Sequence, residues 1–206
     1  MIDKRICVEE KAGIDRLYEP LCFGIPFKKG ELKESSKLQL KCNESPCIGQ
    51  FKILSNWIDG SIQWLLVETQ ISLLAKHTIN LQLRLNKKDV SADNIGITYI
   101  ELENEFVVTC QDQRFYLSKS TGLPLTESVA DTASAFELKL VANKQEYLAV
   151  IKDIDRPKEC SPVSATFKFS GDFGNASKVT GIKFTLVVTF FMQGSLTKIE
   201  SDLHNS

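Results

Sequence analysis

Polar and apolar residues alternate with a period of two along most of this chain, the repeat of a strand with one dry and one wet face. The cleanest stretch is Thr78–Leu85, where the pattern sends Ile79, Leu81, Leu83 and Leu85 inward and Asn80, Gln82 and Arg84 outward. Weaker alternation over residues 2–10, with Ile6 and Val8 on one side, predicts a first strand. Leu38–Lys41 predicts a short one, followed by a turn at Asn43–Pro46. Residues 21–30 contain Pro26, which has no donor for a ladder, so they read as an edge strand or a bulged corner punctuated by Gly24 and Gly30. Lys11–Pro20 reads as irregular, with room for one helical turn. With a hairpin over residues 49–71, this makes about six strands in the first part of the chain, a barrel-sized set.

The hairpin is the most strongly marked element. Asp59-Gly60 lies between two apolar and aromatic runs, and such a pair predicts a two-residue type I′ turn with positive φ at both central positions. That turn sets Trp57 opposite Ile62, Ser55 opposite Trp64, Ile53 opposite Leu66 and Phe51 opposite Glu68. Phe51, Ile53, Trp57, Ile62, Trp64 and Leu66 then share a core face, and Lys52, Leu54, Asn56, Gln63, Leu65 and Val67 share a mixed one.

The rest of the chain is also strand-like, over residues 97–102, 105–110, 114–118, 135–141, 147–151, 165–173, 181–191 and 196–203, with a turn at Gln111–Gln113. Thr166, Lys168 and Ser170 alternate with Phe167 and Phe169, giving one wet and one dry face. Apolar density on both parities of Lys183–Phe191 predicts an interior strand, and short turns point to an antiparallel sandwich. The charged run Lys152–Glu159 reads as a loop crossing between sheets. No long helix, internal repeat or low-complexity tract is evident. The polar stretch Asn86–Asn94 is the best boundary, so the expected domains are a barrel over 1–88 and a sandwich over 95–206. The final residues alternate as a strand and stop without a cap, so the chain reads as the front part of something longer.

Composition narrows the function classes. The 206 residues carry a formal net charge of −1, with 43% hydrophobic and 25% charged residues, so neither disorder nor a nucleic-acid partner is expected. Apolar runs such as Phe184–Met192 are far shorter than the ~20 residues of a spanning helix, so no membrane partner is expected either. The first residues lack the apolar core of a signal peptide, which reads as a cytoplasmic chain or one whose export signal has been removed.

Candidate chemistry is sparse. Cys42 and Cys47 bracket a turn and could form a disulfide, but Cys7, Cys22, Cys42, Cys47, Cys110 and Cys160 read mainly as small apolar residues in a reducing compartment. His77 and His204 have no ligand-spaced partner, so neither a metal site nor a cofactor is expected. Asp153 and Asp155 are a solvated charge run or, less simply, a carboxylate pair. His204 is a structural histidine or a general base. Asn43-Glu-Ser45 and Asn175-Ala-Ser177 fit the glycosylation acceptor pattern.

Two motifs carry a resemblance. Phe23-Gly-Ile-Pro-Phe-Lys-Lys-Gly30, followed by Trp57-Ile-Asp-Gly-Ser-Ile-Gln-Trp64, resembles the N-terminal barrel of the exo-rhamnogalacturonan-lyase-like family. Ser164–Gly171 and Leu196–Asn205 resemble, more loosely, strands of the sandwich that follows it. The resemblance implies an all-β fold, a small six-stranded RIFT-type barrel and then an antiparallel sandwich, with an α/α toroid further along a longer chain. It implies a non-catalytic front portion that supports or positions an acidic polysaccharide. No catalytic residue is assigned, since the histidines are far apart in sequence and Tyr18, Tyr99, Tyr116 and Tyr147 are scattered. The signature residues read first as structural, with Asp59 at the turn and both indoles in the core; Trp57, Asp59 and Trp64 are also the candidate carbohydrate contacts, since tryptophans can stack on sugar rings. The alternative from a different class is a free-standing β module that binds carbohydrate or protein without enzymatic activity.

Overall fold

The structure is a computed structural model of the 206-residue chain. It describes residues 2–35, 37–86, 96–111, 113–122, 124–126, 138–158, 161–175, 178–194 and 196–205. All of its regular structure is strand, and no described residue is helical. The chain divides into two compact units, Met1–Ile95 and Gly96–Ser206. Most of the polar stretch expected at the boundary lies outside the described residues.

The first unit holds β1 (Asp3–Glu9), β2 (Arg16–Pro26), β3 (Leu38–Cys42), β4 (Ser45–Cys47), β5 (Gly49–Asn56), β6 (Ile62–Leu73) and β7 (Thr78–Leu85). They form two antiparallel sheets, ordered β1-β7-β3-β4 and β2-β6-β5. Three-residue β4 is the strand that hydrophobic patterning did not reveal, and the helical turn expected before Pro20 is absent because β2 already begins at Arg16. Leu38, Leu40, Ile62, Leu65, Val67, Ile71, Ile79, Leu81 and Leu83 meet in one core. The alternation in β7 is as expected for Ile79, Leu81 and Leu83. Leu85 is exposed, and Gln82 is buried with its amide donating to Asp3 Oδ1 at 2.5 Å.

The second unit holds β8 (Thr98–Glu101), β9 (Glu105–Cys110), β10 (Gln113–Ser118), β11 (Pro124–Thr126), β12 (Lys139–Ala142), β13 (Gln145–Asp155), β14 (Ser164–Asn175), β15 (Lys178–Phe191) and β16 (Thr197–Asn205). The sheets are ordered β11-β10-β9-β8 and β12-β13-β14-β15-β16. Phenylalanines from both meet in a sandwich core, with Phe106 5.1 Å from Phe167 and Phe115 5.1 Å from Phe190 between ring centres. Phe167 and Phe169 are fully buried while Thr166 and Lys168 are exposed, as their alternation predicted. The charged run read as a crossing loop begins as strand, because β13 continues through Asp155, and residues 156–158 leave the ladder. A bulge at Lys152 shifts its register against β14 and lets Lys152 pair with buried Asp172.

Candidate functional site

The two motifs are bonded to one another in the first unit. At the hairpin tip Gly60 N–H donates to Trp57 O at 2.9 Å and Trp57 N–H to Ser61 O at 2.8 Å. Gly60 has φ of +81°, while neither Ile58 nor Asp59 is at positive φ. This is a three-residue loop, a type I reversal followed by a left-handed glycine, and not the two-residue type I′ turn expected. Asp59 Oδ1 accepts from Ser61 N–H at 3.1 Å and from Ser61 Oγ at 2.6 Å, which keeps Asp59 in ordinary backbone space. Turns with two successive positive φ values fall elsewhere, at Asn43-Glu44 and Asn143-Lys144.

From the same tip, buried Ser61 accepts from Gly30 N–H at 2.8 Å, and Ile62 N–H donates to Leu32 O at 2.7 Å. Trp57 Nε1–H donates to Phe27 O at 3.0 Å, and Phe27 N–H donates to Gln63 O at 2.9 Å. Each such bond stabilises by ~1 kcal/mol net, and each spans about thirty residues of sequence. Asp59 is therefore a turn residue, its carboxyl held below the usual range chiefly by the Ser61 hydroxyl, and half-buried Trp57 is a brace.

Trp64 is different. The ladder between β5 and β6 runs Ile53↔Leu65, Ser55↔Trp64, Asn56↔Ile62, so Leu54 and Gln63 each stand without an opposite residue. Of the expected register only Ser55 opposite Trp64 holds. The extra residue at Gln63 lets Ile62 and Leu65 both point inward and turns Gln63 and Trp64 outward. Ile62, Leu65 and Val67 are fully buried, whereas Trp64 is 43% exposed. The core face is thus the one carrying Leu65 and Val67, and the face expected to bury both indoles does not.

The outward Trp64 ring lies across Gly24 of β2, where an added methyl group would sit 3.5 Å from two ring carbons. Exposed Pro26 is its ladder neighbour on one side and Ser55 on the other. Ser55 Oγ donates to Gln63 Oε1 at 3.2 Å. Exposed Lys52 stands opposite Leu66, the next outward residue of β6. An open aromatic ring on the outer side of a sheet, with an amide, a hydroxyl and a cation on neighbouring positions, can stack on an apolar ligand face and bond to polar groups at its rim.

The same sheet carries a second exposed aromatic that the sequence did not flag. Tyr18 sits at a bulge in β2, at φ +52°, with its N–H donating to Ser72 Oγ at 3.1 Å and its carbonyl accepting from Gln70 Nε2 at 2.9 Å. Ser72 and Trp64 are both on β6, so the two aromatics stand about 26 Å apart at a strand rise near 3.3 Å per residue.

Within each unit, the remaining candidates among the described residues are not gathered into a catalytic set. His77 belongs to the first unit, its ring Nδ1 2.9 Å from Ala75 O. His204 belongs to the second, on exposed β16 opposite Lys183. The Tyr99 hydroxyl donates to Pro157 O and that of Tyr147 to Gln145. Asp153 and Asp155 line a shallow recess of about 360 Å³ with Ile154, Lys168, Ser170 and Thr185. No group of three or more histidine, cysteine or acidic side chains suited to a metal ion occurs among the described residues. Cys42 and Cys47 are free thiols, so the disulfide is not formed; burial pushes the Cys47 thiol up to about 12. Cys160 lies outside the described residues.

Residues 10–87 match the family model of the PcRGLX-like N-terminal RIFT barrel domain. No curated protein matches the chain.

Proposed function

Residues 10–87 are an N-terminal RIFT barrel domain of the PcRGLX-like, exo-rhamnogalacturonan-lyase-like family, and from that premise we propose that this chain is a non-catalytic front portion that positions an acidic polysaccharide. The observation that carries the reading is Trp64, a large aromatic ring left open on the outer face of the β2-β6-β5 sheet. A sugar ring stacks on Trp64 over Gly24, its hydroxyls meet Gln63 and Ser55, and Lys52 faces a carboxylate. Trp57 and Asp59 act on the sugar only through the shape of the hairpin. The catalytic work belongs to an α/α toroid elsewhere in a longer chain, and the second unit is a non-catalytic sandwich.

The test is titration of the 206-residue protein with rhamnogalacturonan oligosaccharides by calorimetry. Wild type binds, and Trp64→Ala loses at least about tenfold in affinity with an unchanged melting temperature. Equal binding by Trp64→Ala, or no binding by wild type, overturns the reading. Release of unsaturated product by the chain alone overturns its non-catalytic part.

A further inference from the structure

The recess beside Asp153 and Asp155 is made by an irregularity in β13. Ile151 and Ile154 both pack against the core of the second unit, although residues three apart in a regular strand face opposite ways. The bulge at Lys152 reconciles them. It leaves Lys152 without an opposite residue and sets Asp153 beside Ser170 and Asp155 beside Lys168 on the outer side of the sheet. On β15, Thr185 stands beside Ser170 in turn. Phe167 and Phe169 alternate with Lys168 and Ser170 along β14, point the other way and are fully buried. Two features support the bulge. Lys152 pairs with Asp172 of β14, and Gly171 has no side chain to collide with the Val150 carbonyl.

The bulge thus gathers two carboxylates, an ammonium group and two hydroxyls around one hollow of about 360 Å³, with Ile154 as the sixth residue lining it. Among the described residues, none of these five polar side chains has a hydrogen bond or an ion pair, although Asp155 and Lys168 are ladder partners of opposite charge. By contrast, on neighbouring positions of the same face Lys152 is paired with Asp172 and Thr166 with Thr189.

The chemistry of the lining selects its ligand. An anion meets two carboxylates, a cation meets Lys168 beside one of them, and an apolar ring finds no aromatic surface. A neutral sugar suits all five groups, because a hydroxyl donates to a carboxylate and accepts from an ammonium or another hydroxyl at the same time. Asp153 and Asp155 are about 6.6 Å apart along the strand, a spacing that hydroxyls on opposite sides of one sugar ring can bridge. We propose that this recess binds a neutral sugar unit of a glycan, with Asp153 and Asp155 accepting from its hydroxyls and Lys168 donating to them. The site lies within the second unit and does not rest on the reading of Trp64.

The test follows the amide chemical shifts of the isotope-labelled 206-residue protein. Methyl glycosides of galactose, glucose, mannose and rhamnose are added, and then galacturonate and glucuronate. At least one neutral glycoside shifts the amides of Asp153, Asp155, Lys168, Ser170 and Thr185 and binds at least about tenfold tighter than either uronate. Asp153→Asn with Asp155→Asn, both on exposed positions, weakens that glycoside and narrows its preference over the uronates at an unchanged melting temperature. Trp64→Ala leaves the titration unchanged. Four results overturn the proposal: no shift in the recess with any neutral glycoside, a uronate that binds as tightly, unchanged binding by the asparagine variant, or a calcium salt that shifts the same amides and displaces the glycoside, which would make the carboxylates a cation site.

Discussion

Gly60 and Gly171 are glycines for different reasons, and the difference is measurable. Gly60 has φ +81° with nothing within 4 Å of an added methyl group, so its substitution meets only backbone strain. Gly60→Ala is expected to cost ~1–2 kcal/mol, read from the indole fluorescence transition in urea, since both tryptophans are in the first unit. At Gly171 a methyl group would stand 2.0 Å from Val150 O, because the β13 bulge brings the strands together there. Gly171→Ala is expected to cost more than about 3 kcal/mol by far-UV circular dichroism. At this scale the sequence was readable only in part. Asp59-Gly60 marked a hairpin, but Asp59 spends its carboxylate on Ser61 and stays out of the left-handed region, so the loop gains a residue. Trp64 was read as core because a period-two count cannot see a one-residue bulge, and Gln63 supplies one.

Single residues also hold elements together. Glu10 is buried just after β1, and its carboxylate accepts from the N–H groups of Ala12 at 2.9 Å, Gly13 at 2.7 Å, Ile14 at 3.3 Å and Lys76 at 3.1 Å. It clasps the turn before β2 to the turn after β6. These bonds, led by that from Lys76, hold its carboxyl below the ordinary glutamate range. A depressed value in the fold means that the stabilisation is present above the unfolded-state pKa, near 4.5, and is lost as pH falls through the folded one. Glu10→Gln is therefore expected to lower the melting temperature at pH 7 and to flatten its fall below pH 4.5. An unchanged pH profile would remove this role from Glu10. Nothing in the sequence singled out one glutamate beside another, because four donors from two turns meet only in the fold. A second outcome belongs to the strands themselves. Burial pushes the thiols of Cys47 and Cys110 up to about 12, so both are expected to resist iodoacetamide at pH 8 while exposed Cys7 reacts, as peptide mass spectrometry would show.

For the whole molecule, the all-β class was legible because alternation sums over many strands and tolerates local errors. Each unit has its own core, and truncation in the second, Phe167→Ala, is expected to cost ~3–5 kcal/mol through lost burial and a cavity. The exposure of Trp64 and Tyr18 on the β2-β6-β5 sheet was not legible, since both residues sit at or beside bulges. If a sugar chain runs along this sheet from Trp64 as far as Tyr18, Tyr18→Ala weakens long oligosaccharides and spares short ones. The most direct measurement is the fluorescence of a Trp57→Phe protein, in which Trp64 is the remaining indole. The account predicts an emission typical of a half-exposed ring, readily quenched by acrylamide, and a loss of that quenching as rhamnogalacturonan oligosaccharide is added. A buried-type emission that resists acrylamide, or quenching that the oligosaccharide leaves unchanged, would contradict it.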